Sequence, residues 1–225
     1  YEARGRVPLL PLGLFTVPSF RNGVLVGTAY FSGMPALFLI TTLYLQTGLH
    51  FTALNAALVT IGFALASAVT SWLGGRLVAR HGRRLVVLGV ATMLGAIVAL
   101  VLAAVLAPPE HVGWIMAMVM IVGGLGGGFV VSPNQTLMYA DVPVTQAGLA
   151  GSVGQLGQRM GTAIGMAIAL SLFYAAISRE QGTASELEVF HHAYAFGMAA
   201  VAGFIAVALI AALADLARRR RVAAG

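Results

Sequence analysis

The chain has 225 residues, 59% of them hydrophobic and only 9% charged, with a mean hydropathy of +0.91. A soluble domain carries roughly 25% charged residues, so this chain lacks the polar surface to coat a globule and its solvent is a bilayer. There are no cysteines, which excludes a disulfide framework or a thiolate site, and all 13 basic residues are arginine. The formal charge of +6 sits beside apolar runs, which points to membrane topology and to lipid as a partner and away from nucleic acid.

A bilayer core of about 30 Å needs roughly 20 apolar residues per helix. Six segments qualify, near 22–46, 53–77, 85–107, 113–138, 148–177 and 193–216, separated by the polar breaks TGLHF, ARHGRR, APPEH, YADVPVTQ and SREQGTASELEVFHH. Helices are expected because an open sheet leaves its backbone unsatisfied in lipid. Residues 1–18 then form a cytoplasmic connector, 19–217 a six-helix transmembrane bundle and 218–225 a basic cytoplasmic tail. The opening YEARGRVPLLPLGLF lacks the pattern of a cleavable signal. It also begins without Met, as a processed chain or a fragment would.

With both termini on one side, that side holds Arg4, Arg6, Arg21, Arg76, Arg80, Arg83, Arg84 and Arg218 to Arg221, while the other holds Arg179 among four glutamates. The positive-inside bias therefore predicts both termini in the cytoplasm of a cell (plasma or inner) membrane. The third and sixth segments have almost no hydrogen-bonding side chains beyond one Thr and one Tyr. The others carry Thr28, Tyr30, Ser32, Gln46, Asn55, Thr60, Ser67, Ser132, Asn134, Gln135, Gln155, Gln158 and Arg159. The order polar, polar, bland, repeated, fits a three-plus-three inverted repeat whose bland helices face lipid and whose others face a cavity.

The stretch GGRLVARHGRRLVVLG joins the second and third segments through a tight turn at Gly82, with Arg76 and Arg80 on one helix face. Charge alone leaves an ordinary positive-inside loop as an equal reading. The spacing Gly75, Leu77, Arg80, Gly82, Arg83, Arg84 resembles the loop signature of the major facilitator superfamily, which lies between the second and third helix of each six-helix half. Here Ala79 replaces the usual acid, so the conformational locking tied to that acid is not carried over to this copy.

In GGLGGGFVVSPNQTLMYADVP, Gly123 with Gly127, and Gly124 with Gly128, are small pairs four apart that let helices approach closely. Pro133 removes a backbone donor just before Asn134 and Gln135, and a Pro-disturbed helix with amides beside it suits substrate contact. A packing helix whose amides meet water at the cytoplasmic end is the alternative. No lysine is present, so these glycines are no phosphate loop.

In AGLAGSVGQLGQRMGTAIGMAIA, Gly157, Gly161 and Gly165 form one smooth packing face. Gln155, Arg159 and Thr162, with Gln158 beside them, form another stripe. Arg159 falls about 18 Å along the helix from Ala147, at 1.5 Å per residue. A tilted helix could let it snorkel to the headgroups; the expectation adopted is a water-filled cavity open to the cytoplasm, because charge within a span is costly and marks function.

Taken in order, the first span, the arginine–glycine loop, the glycine-rich span with PNQTL, and GQRMGTAIGMAIA resemble the C-terminal six-helix half of the 14-span drug:proton antiporter branch of that superfamily, from about Pro11 to Ala214. The resemblance implies an all-α membrane fold, half of a two-bundle transporter. It implies proton-coupled efflux of drugs or small amphipathic molecules by alternating access, with Tyr30, Gln46, Asn134, Gln135, Gln155, Gln158, Arg159 and Thr162 along the substrate pathway. The partner would be an N-terminal six-helix half or another copy.

The acids Glu2, Glu110, Asp141, Glu180, Glu186, Glu188 and Asp215 all fall in loops or at span ends, so no proton carrier is evident within a span. A second reading is a non-transporting, truncated or self-assembling bundle that needs a separate N-terminal half. A membrane enzyme is the weakest: no serine–base pair, metal-ligand set or cofactor motif is present.

Overall fold

A computed structural model describes residues 12–180, 182 and 185–224. Most of the predicted connector, with Glu2, Arg4 and Arg6, and the side chains of Arg219, Arg220 and Arg221 lie outside the described residues. The helices are α1 (Pro18–Leu43), α2 (Ala53–His81), α3 (Arg83–Leu106), α4 (Pro109–Met138), α5 (Ala147–Glu180) and α6 (Glu186–Ala224). A π-helical turn, Tyr44–Gly48, prolongs α1, and 3₁₀ turns cover Leu12–Thr16 and Val144–Gln146. All six long helices are long and apolar enough to cross a membrane; the protein is an all-α, multi-pass membrane protein.

Local chemistry sets the helix ends. Pro18 and Pro109 open α1 and α4, where the missing N–H is already an orphan. The Thr52 side chain accepts the Asn55 N–H at 3.2 Å to cap α2. Ser185 and Glu188 form a reciprocal capping box at α6: the Ser185 N–H donates to the Glu188 carboxylate at 3.1 Å and the Glu188 N–H to the Ser185 hydroxyl at 3.4 Å. The α2–α3 turn is the single residue Gly82, at φ 50°, a left-handed backbone that side chains disfavour.

Both ends of the expected bundle differ from the expected bounds. Leu14 is buried with Phe20, Met138, Ala150 and Val153 in a small apolar cluster, so packing begins inside the stretch expected as connector. At the other end α6 continues to Ala224, so the expected tail is backbone-continuous with the last span.

The packing pairs are α1 with α5, α6 and α4, and α4 with α2, α3 and α1, while α3 also packs on α6. Exchanging α1–α3 with α4–α6 maps this pattern onto itself, as a three-plus-three inverted repeat requires. The exchange breaks in one place: α5 packs extensively on α6, whereas α2 and α3 barely touch. The central helices α1 and α4 supply much of the main apolar core, with Tyr30, Leu37, Ile40, Met116 and Met120 all about fully buried.

The α2–α4 and α1–α5 crossings use glycine on the second repeat's helices, and the α3–α4 crossing uses Gly89 and Gly126, one from each helix. On α4, a methyl at Gly124 would collide with the Phe63 carbonyl, and one at Gly128 with Thr70 Oγ1 and the Ser67 carbonyl of α2. On α5, a Cβ at Gly157 or Gly161 would lie 2.7 Å from Thr28 Oγ1 or Ser32 Oγ, and one at Gly165 would collide with the Ser32 carbonyl of α1. Gly123 and Gly127 face Phe63, with Gly127 also against Tyr30 Oη. Backbones meet here because no side chain intervenes, the close approach that lipid-embedded helices need.

Candidate functional site

Two amides meet a glycine of α1. Asn134 Nδ2, on α4, donates to the Gly23 carbonyl at 3.0 Å. A Cβ on Gly27 would lie 3.4 Å from that same nitrogen and 3.5 Å from Gln158 Nε2 of α5. Asn134 and Gln158 are both buried. One turn along α1, Tyr30 is 1% exposed, its ring packed against Phe31 and its hydroxyl without a hydrogen-bond partner among the described residues. Asn134 and Gln158 thus meet at Gly27, while the Tyr30 hydroxyl lies further along, against Gly127 of α4.

The expected stripe on α5 divides between two faces. Gln158 turns toward α1, and the Thr162 hydroxyl donates to the Phe31 carbonyl of α1 at 3.1 Å. These two belong to the packing side, contrary to the expected separation of a glycine face from an amide face. The reason is angular: Gln158 lies three residues before Gly161 and seven before Gly165, and Thr162 three before Gly165, so helical spacing puts both beside the glycine face. Gln155 and Arg159 remain exposed with Leu156, Met160 and Ile164. No described residue forms an ion pair or hydrogen bond with Arg159.

The remaining expected pathway residues scatter. Gln135 is half-buried beside Asn134, and Gln46 is exposed in the π-helical turn at the far end of α1. Nor does Pro133 break its helix: α4 runs through it to Met138, and the ring packs on Gly74 of α2, where a Cβ would lie 3.1 Å away.

The arginine–glycine loop separates its cations. Arg76, Arg80 and Arg84 are exposed, Arg76 lies 3.9 Å above the Trp72 ring, and Gly75 is exposed on the same helix. Arg83 is buried and forms an ion pair with Asp215 near the end of α6. Asn22 Nδ2 of α1 donates to the other oxygen of that carboxylate at 2.6 Å. Sequence reasoning placed Asp215 at a span end and gave it no role. The available signal was a lone acid in LIAALADLARRRR, which must meet a cation if it is buried.

The opposite end of the same three helices is tied by aromatics. Tyr44 and Tyr194 stack at 4.6 Å between ring centroids, the Tyr44 hydroxyl donates to the Ala104 carbonyl at 3.2 Å, and Thr41 shares a 3.2 Å hydrogen bond with Tyr194. So α1, α3 and α6 are joined at both ends. Among the described residues no group of His, Cys, Asp and Glu is arranged to hold a metal. The polar inventory consists of amides, a phenol and a guanidinium, suited to hydrogen bonding and aromatic contact.

Several curated proteins resemble the chain. It is 29% identical over 196 residues to the probable actinorhodin transporter of Streptomyces coelicolor, covering 82% of this chain and 32% of that one. Against the multidrug resistance protein Stp of Mycobacterium tuberculosis, identity is 28% over 181 residues, covering 79% and 32%. Against the tetracycline resistance determinant of Streptomyces rimosus it is 27% over 174 residues, covering 76% and 49%. The chain therefore spans between 32% and 49% of the length of these relatives. With the matching sequence profile extending over residues 22–225, the six helices, the repeat and the loop signature have one family in common: the chain belongs to the Major Facilitator Superfamily.

Proposed function

We propose that this chain is the C-terminal six-helix half of a secondary transporter that exports drugs or small amphipathic molecules by alternating access. Arg159 carries the reading. It lies about 18 Å into α5 at 1.5 Å per residue, exposed on a face that no described helix covers and with no partner among the described residues. A guanidinium at that depth is costly in hydrocarbon and acceptable beside a water-filled cavity that a second six-helix bundle completes. The names of the relatives, all of transporters or resistance proteins, and their greater length support the same reading. Under it, both termini face the cytoplasm of a cell membrane. Gln155 and Arg159 face the cavity, with Gln158 and Asn134 behind them, and the proton-carrying acid belongs to the other half.

The test is ethidium uptake into inverted vesicles under an imposed proton gradient. The chain alone is expected to give none, and co-expression with an N-terminal half to give uptake that Arg159→Ala reduces at unchanged membrane insertion. Uptake by the chain alone would mean that it self-assembles into a working carrier. Uptake indifferent to Arg159→Ala would remove that residue from the cavity.

A further inference from the structure

The first turns of α2 and α4 converge at the end of the bundle away from the arginine loop, and between them lies a cleft of about 330 Å³. Phe51 closes one side by seating against Gly113, where a Cβ would lie 2.9 Å from the ring. Leu58 and Ala117 form an apolar lining, Trp114 stands at the side with 73% of its surface exposed, and Glu110 and Asn55 supply the polar groups. Neither the Glu110 carboxylate nor the Asn55 amide has a side-chain partner among the described residues, and no basic residue lines the cleft. An exposed tryptophan at this level is by itself an ordinary interfacial anchor. A carboxylate in the first turn of α4 is likewise accepted by the helix N-terminus; what the cleft adds is that this carboxylate, two aromatic rings and an apolar lining share one volume.

The geometry points to this cleft as a binding site for the ammonium group of an amphipathic amine. The carboxylate neutralises the cation, the aromatic faces attract it through their quadrupoles, and the Asn55 carbonyl accepts an ammonium N–H. The apolar stem lies on Leu58 and Ala117. An anion of the same shape is repelled by Glu110. An ethanolamine lipid headgroup and a water-borne alkylamine share this chemistry. The site lies on residues that the proposed transport pathway does not use, so it stands or falls separately.

The chain contains two tryptophans, so Trp72→Phe leaves Trp114 as its sole tryptophan reporter. The Trp72→Phe chain would be purified in dodecyl maltoside, which carries no amine, and Trp114 emission followed on titration with octylammonium below its micellar range. A saturable change is expected, with octyl sulfonate producing none. Glu110→Gln should weaken binding about fivefold, the size of a carboxylate–cation contact at an exposed site, and Glu110→Asp should recover part of it at unchanged helicity. Competition by added ethanolamine lipid would assign the site to a headgroup; octylammonium binding without such competition would assign it to a soluble amine. An equal response to the sulfonate, no saturable response, or undiminished affinity in Glu110→Gln overturns the proposal.

Discussion

The guanidinium of Arg83, the first residue of α3, forms a buried ion pair with Asp215 of α6, and Asn22 of α1 donates to the same carboxylate. Three chain-distant helix ends are thereby tied at one end of the bundle.

Asp215→Ala leaves Arg83 buried without its counter-ion, and breaking a buried pair in this way costs about 3–5 kcal/mol. The thermal midpoint in detergent should fall sharply. The double variant Arg83→Met with Asp215→Ala should recover much of the loss, since an apolar pair replaces a charged one. A double variant as unstable as the sum of the two singles would mean that the residues are not energetically coupled.

Gly165→Ala puts a methyl into the Ser32 carbonyl of α1. Overpacking costs about 1–3 kcal/mol, and backbone has little room to give, so a lower midpoint and a smaller monodisperse fraction on size-exclusion chromatography are expected. Gly95, with nothing within 4 Å of an added Cβ, is the control. There alanine should be neutral or stabilising by up to about 1 kcal/mol through helix propensity. Equal behaviour of the two variants would deny the close crossing.

Tyr194→Phe and Tyr44→Phe each delete one hydrogen bond and keep the ring stack, so each should cost about 1 kcal/mol. Tyr44→Ala also empties the stack and should cost about 3–5 kcal/mol, as for other large aromatic truncations. Denaturation monitored by near-ultraviolet circular dichroism distinguishes these cases. Similar losses for Tyr44→Phe and Tyr44→Ala would leave the stack without a share in stability.

Asn134→Ala deletes the bond to the Gly23 carbonyl. A cost of about 0.5–1.5 kcal/mol in stability is expected, together with an altered substrate profile in the co-expressed transporter. An unchanged profile at lowered stability would make Asn134 a purely structural tie between α4 and α1.

Membrane residence, the number of helices long and apolar enough to span, and the gathering of most arginines at helix ends were legible in the sequence itself. The reason is that length against bilayer thickness and charge at helix ends are local quantities that need no knowledge of neighbours. The glycine spacing of α4 and α5 likewise marked close-packing faces, because helical period alone puts residues four apart on one side. Which residue meets which was decided only by the tertiary structure. A helical wheel gives the angle of Gln158 but not the width of the α1 contact that buries it, and so the stripe expected to be continuous came apart. Asn22 and Asp215 lie 193 residues apart, and no local pattern relates them. Their meeting with Arg83 follows from the packing of the two repeats, which sets α6 against both α3 and α1, and a buried carboxylate is stable there only beside a cation.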